Sequence, residues 1–270
     1  MFYHPLNEGY FYEVRRFLEK IINHDPSPPN SFSDFKQLIE MFNSKSSELN
    51  MVAMMVFLGF IMTLGMVTTT VIYPDGGQFH LAMDPSDIYA QLSAMSLSER
   101  DIMLGGIVFD TFFILGYLSL FYGLFLLVRH QGIFFPRLGL SLGLATAVCD
   151  LIENALHIAF ITGAFNDWNA DPILWVYLWA FTFTKDLTSY MAGIINVVLL
   201  LVTFSSPVNL RVTKLIFIIF FAFYILVGSL GVINPSFLLI RNLGFVIDLG
   251  ISAILFYRAS KMEIPTSSIL

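Results

Sequence analysis

Six apolar stretches, at approximately 51–73, 103–128, 137–163, 173–204, 214–233 and 236–257, restrict the fold of this chain more than any other feature. Each reaches the ~20 residues that a helix rising 1.5 Å per residue needs to cross about 30 Å of hydrocarbon. The last two are separated only by Asn234-Pro235. Together they run to about 44 residues, twice a single span, and so read as a hairpin with a tight turn.

Composition points the same way. Hydrophobic residues make up 56% of the 270 and charged ones 13%, roughly half the charge fraction of a soluble domain. A 30.5 kDa globule has too little interior to hide that much apolar surface, which leaves the lipid bilayer as solvent and first partner. A single Cys excludes a disulfide scaffold. A net charge of −6 and a pI near 5.3 exclude a nucleic-acid binder. The expected fold is all-α: a polytopic transmembrane bundle of six spans, in a bacterial inner membrane or a eukaryotic one.

Lys and Arg set the expected orientation. Arg15, Arg16, Lys20, Lys36 and Lys45 precede the first span. Arg129 and Arg137 fall in the second connection, Arg211 and Lys214 in the fourth, and Arg258 and Lys261 in the tail. All of these share one side if both termini are cytoplasmic and the spans number six. Trp168, Trp175, Tyr177 and Trp179 then fall where an outer aromatic belt belongs.

The chain divides accordingly. Residues 1–50 are expected to form a cytoplasmic, amphipathic helical segment, with Phe11, Val14, Phe17, Leu18, Ile21 and Ile22 at helical spacing and a stop at Pro26-Ser27-Pro28-Pro29. This segment is a helical cap and the candidate surface for a protein partner. The first apolar span starts only near Met51, so no cleavable leader is expected. Residues 51–204 form a four-span core with an outer connection, 74–102, in which Pro85-Ser86-Asp87 starts a short amphipathic helix that packs on the bundle. Residues 205–270 form a two-span hairpin and a short tail.

Ionisable residues inside the spans carry the functional signal. Asp110 lies in the second span, Asp150, Glu153 and His157 in the third, Lys185 and Asp186 in the fourth, Arg241 and Asp248 in the sixth. Each would cost about 2.5–3.5 kcal/mol against lipid at a helix centre, so they are expected to face one another or a wet cavity. Asp150, Glu153, Asn154 and His157 stand at i, i+3, i+4 and i+7, one stripe of one helix. Lys185 lies on the polar face of the next span, and Asp110 and Tyr117 share a face of the one before. A polar pocket between spans two, three and four, opening outward, follows. Five acids (Asp110, Asp150, Glu153, Asp186, Asp248) stand against two bases (Lys185, Arg241). The surplus must be protonated, solvated or bound to a cation. Asp110, Asp150, Glu153 and His157 also have the spacing of a divalent-metal ligand set, and an alkali cation is the other candidate. Cys149 points off the stripe and is read as inert. No His-Glu-x-x-His, Gly-x-Ser-x-Gly or phosphate-cradling glycine loop occurs.

Asp110-Thr-Phe-Phe-Ile-Leu-Gly-Tyr117, Asp150-Leu-Ile-Glu153-Asn154 and the following Thr184-Lys185 resemble the Asp-x-x-Phe-x-x-x-Tyr, Asp-x-x-Glu-Asn and lysine-bearing spans of a group of uncharacterised, mostly bacterial multi-pass membrane proteins. The resemblance covers about residues 51–200 and includes Asp87 to Arg100; His157 and Asp186 stand outside it. It implies the same four-span core and polar cluster, and no particular activity. The leading functional expectation is proton- or cation-coupled handling of a small polar solute, with Asp110, Tyr117, Asp150, Glu153, Asn154, His157 and Lys185 binding the solute or relaying protons. A metal-dependent hydrolase acting on a lipid, and a non-catalytic subunit or assembly factor, are the alternatives; enzymatic activity is left open.

Overall fold

The apolar stretches become six long helices in a computed structural model, which describes residues 45–72, 90, 92–129, 134–165, 172–203, 208–231 and 236–261. They are α1 (Lys45–Ile72), α2 (Leu97–Val128), α3 (Phe134–Phe165), α4 (Pro172–Thr203), α5 (Val208–Gly231) and α6 (Ser236–Ser260). All six are long and apolar enough to cross a membrane, and no strand occurs among the described residues. The chain is thus a multi-pass helical membrane protein. The helices expected before Ser44, His80, Trp168 and the tail beyond Lys261 lie outside the described residues.

Three helices begin six residues before the hydropathy reading, and α1 is one of them: it starts at Lys45, so the end of the expected 1–50 segment belongs to the first long helix. α2 begins six residues earlier, at Leu97, because Ser96 caps it: the Ser96 side chain accepts from the Glu99 amide while the Glu99 carboxylate accepts from the Ser96 amide. This reciprocal arrangement satisfies two amides that the first helical turn would otherwise leave unpaired. α5 begins at Val208, immediately after Pro207 in sequence, so Arg211 and Lys214 lie in its first two turns and not in a connection. Lys214 reaches back to the Leu200 carbonyl at the end of α4 (3.4 Å). Long cationic side chains tolerate such a position because the stem covers apolar surface while the head seeks polar groups.

Consecutive helices pack side by side, α1 on α2 through to α5 on α6, and α6 closes the ring against α1. Each consecutive pair is antiparallel. Gly59 meets Gly116, Tyr117 meets Asp150, Thr146 meets Thr188, Ser189 meets Tyr224, and Tyr224 meets Phe245. The C-terminal hairpin therefore shares one unit with the other four spans. A side of each helix stays apolar and exposed, with Phe57, Phe112, Val148, Ile194, Ile219 and Ile247 among its residues, as expected of surface solvated by lipid. The inner stripes interdigitate around Leu120, Phe121, Leu124, Phe217, Phe221 and Phe256. Before α2, Leu92 is buried with Phe160, Ile161 and Leu178, so it is docked on α3 and α4.

α1 and α2 cross backbone to backbone at a pair of glycines. Gly59 and Gly116 face each other, and a methyl group added at Gly59 would lie 2.5 Å from the Gly116 Cα. Small residues of this kind let membrane helices approach closely enough for dispersion to hold them. We expect Gly116→Val to force α1 from α2 and cost about 1–3 kcal/mol, an overpacking penalty. The check is thermal unfolding in detergent, with Gly105→Ala as control, since the space beyond Gly105 is open.

Candidate functional site

Lys185 and Asp186 are neighbours on α4 but point about 100° apart on a helix, and they serve different partners. The Lys185 Nζ lies 3.1 Å from Asp150 Oδ1 and 2.5 Å from Glu153 Oε2, both on α3. Asp186 accepts from Arg241 of α6 at 3.0 Å. One dipeptide thus joins α4 to two helices on different sides of it.

The α3 side is the polar stripe of the sequence. Asp150, Glu153 and Asn154 are all buried. Asp150 has a donor on each oxygen: Lys185 on Oδ1, and the Tyr117 hydroxyl of α2 on Oδ2 at 2.9 Å. Glu153 has the ammonium close by but off the hydrogen-bonding direction, and its Oε2 makes no directed hydrogen bond. The Asn154 amide donates to Thr111 of α2 at 3.3 Å and also to Asp110, tying that half-buried acid to the cluster. His157, one turn further along α3, is half-buried and within electrostatic reach of Lys185 and Asp150. Towards the other end of α3, Thr146 and Thr188 share a hydroxyl–hydroxyl bond of 2.9 Å. Spans two, three and four thus bring together Asp110, Tyr117, Asp150, Glu153, Asn154 and Lys185, with His157 at the edge.

Among the described residues, no group of three His, Cys, Asp or Glu side chains has the arrangement of a metal site. The physical reason is the ammonium: Lys185 stands where a cation shared by Asp150 and Glu153 would stand. Cys149 is buried and free. A groove lined by Leu118, Ser119, Tyr122, Leu140 and Leu144 lies between α2 and α3 and holds none of the acids.

The second ion pair, absent from the sequence-based set of site residues, belongs to α4 and α6. The Arg241 guanidinium also donates to the Tyr190 hydroxyl at 3.2 Å. Tyr190 packs edge-on against Tyr224 of α5, with ring centres 5.8 Å apart. The Tyr224 hydroxyl bonds Ser189 at 2.8 Å. Between the two pairs runs an aromatic layer in which Phe245 contacts Phe113, Tyr117 and Tyr224 at 5.6, 6.5 and 4.7 Å. The signal for Arg241 was present as a lone arginine in an apolar span. Its partner was not legible, because nothing local says that a span-six side chain crosses to span four.

The chain matches no protein-family model, no curated protein and no solved structure.

Removing one member of a buried pair strands the other and costs about 3–5 kcal/mol, while replacing both with apolar or neutral residues is often close to neutral. We therefore expect Arg241→Met to destabilise the bundle strongly, and the Asp186→Asn/Arg241→Met double variant to recover most of the loss. A double-mutant cycle on thermal unfolding in lipid nanodiscs measures this.

Proposed function

We propose that this protein is a proton- or cation-coupled transporter of a small polar solute, and that the α3–α4 cluster is its coupling site. The observation that carries the reading is one ammonium, Lys185, shared by two buried carboxylates a single turn apart. One positive charge neutralises one acid, so the trio holds a standing negative charge in a medium where that is costly. A proton or an alkali cation relieves it.

The two acids are not equivalent as acceptors. Asp150 already has Tyr117 and Lys185 donating to it, whereas Glu153 has only the ammonium contact. An arriving proton therefore settles on Glu153, through Asp110 and His157 as relays, and Lys185 withdraws to Asp150 alone. Loss of the Lys185–Glu153 attraction removes a tie between α3 and α4 and biases a movement of one past the other. Asn154 and Tyr117 supply neutral hydrogen bonds to solute or water.

The likeness of the Asp110–Tyr117, Asp150–Asn154 and Lys185 motifs to those of the multi-pass membrane group supports a shared four-span core in this reading. Six spans and the placement of the basic residues favour both termini in the cytoplasm, with residues 1–50 as a cap that offers a surface to a protein partner.

Two measurements test these statements. Proteoliposomes on a supported membrane, given a pH step or a sodium step, are expected to show charge movement that Glu153→Gln abolishes. Charge movement indifferent to Glu153→Gln removes the reading. For topology, Cys149 is buried, so single added cysteines report cleanly: Ser205→Cys and Ser268→Cys are expected to label from the cytoplasmic side, and Gln78→Cys from the opposite one.

A further inference from the structure

The α3–α4 cluster and the Arg241–Asp186 pair account for every mid-span acid but one. Asp248, near the middle of α6, has no exposed surface. Neither of its carboxyl oxygens has a hydrogen-bond partner among the described residues. The nearby polar atoms serve the backbone: the Ser252 hydroxyl, itself wholly buried, donates to the Asp248 main-chain carbonyl at 2.5 Å and leaves the carboxyl unaided.

The following charged and titratable groups on α6 and on the helices packed against it lie or bond elsewhere. On α6, Arg241 is held by Asp186 and Tyr190, about 10 Å along the axis (seven residues at ~1.5 Å), and Arg258 donates to Thr213. On α5, Tyr224 bonds Ser189 and Lys214 reaches the Leu200 carbonyl, while Arg211 lies in the first turn, on the exposed surface. On α1, Glu48 pairs with Arg129, and on α2, Tyr117 and Asp110 belong to the α3 cluster. An ionised carboxylate enclosed at this place would have neither a countercharge nor a donor among the described residues to offset its desolvation.

A metal cation does not solve the problem. It needs several oxygen ligands, six to eight for calcium, and among the described residues no three acidic, His or Cys groups converge. The one positively charged species that a lone carboxyl can hold without further ligands is a proton. We infer that Asp248 is a second proton-binding site, separate from the α3–α4 cluster, which carries its proton while the bundle is closed. Because the side chain is fully enclosed, that proton exchanges only when α6 loosens from its neighbours. Gly244, Gly250 and Ser252 flank it and thin the helix there, and a serine bonded to the carbonyl one turn back favours bending at this point.

Infrared spectroscopy of the lipid-reconstituted full chain at neutral pH tests this. The carbonyl stretch of one protonated carboxylic acid is expected in the wild type, absent from Asp248→Asn and retained in Glu153→Gln. On transfer to deuterated water the band is expected to shift slowly, over the time of helix opening. If Asp248→Asn fails to fold, Asp248→Glu serves instead and is expected to displace the band. A spectrum with no carboxylic-acid band, or with a band that Asp248→Asn does not remove and Asp248→Glu does not displace, overturns the proposal, because Asp248 is then ionised; a band that shifts at once overturns the enclosed site. The result is independent of the coupling reading: charge movement unaffected by Glu153→Gln would remove that reading and leave the Asp248 band to be decided on its own.

Discussion

The rest of the bundle depends on the need to pair charges in a low-dielectric interior, and one dipeptide, Lys185-Asp186, meets most of that need. Adjacent residues on a helix diverge by about 100°, so opposite charges placed side by side in sequence do not satisfy each other well but reach to different neighbours. Lys185 takes α3 and Asp186 takes α6. The contact between Asp186 and Arg241 matters for the ring because α4 and α6 are not sequence neighbours and share little packing. A directed ion pair there fixes which helix stands opposite which, where apolar contacts between Leu, Ile and Phe faces would accept several registers. Fixing register and partner is the best-attested use of buried polar groups in helical assemblies.

Aromatic packing separates the two pairs without isolating them. Phe113 and Tyr117 of α2, Phe245 of α6 and Tyr224 of α5 form edge-to-face and tilted contacts through the centre. Tyr117 belongs both to this layer and to the Asp150 carboxylate, and Tyr190 both to Tyr224 and to Arg241. Their hydroxyls face charge while their rings face the layer, the arrangement in which buried Tyr keeps its polar end satisfied. The rings thus form a continuous packed layer between the two ion pairs.

The fold was legible because span length and apolar composition are local properties. Six stretches of about 20 residues or more became six helices, and the polar stripe Asp150, Glu153, Asn154 stayed on one face, since helical periodicity does not depend on tertiary context. The α3–α4 pairing was also legible, because a short connection makes consecutive spans neighbours. What was not legible required knowing which helices meet across the ring. Arg241 and Asp186 read as separate anomalies, and Asp248 read as one of several surplus acids rather than as the one left without a partner. The start of α2 moved for a local reason that hydropathy does not see: the Ser96–Glu99 capping box is polar, so an apolar window begins after it, not at it.

The charge count acquires a spatial meaning once the pairs are assigned. Lys185 neutralises one of Asp150 and Glu153, Arg241 neutralises Asp186, and the surplus falls on Asp110, on the other member of the α3 pair, and on Asp248. Two of these three lie together on the α2–α3 side and share Asn154 and Lys185 as neighbours, so a single proton or cation arriving there is felt by both. The third stands alone on α6 behind the aromatic layer. A bundle that needed charge only for stability would do better with apolar residues at all three positions, since unpaired acids cost more than they return in a membrane interior. Their presence in the spans, two gathered and one enclosed, is what the proposed uptake of positive charge at two separate places rests on.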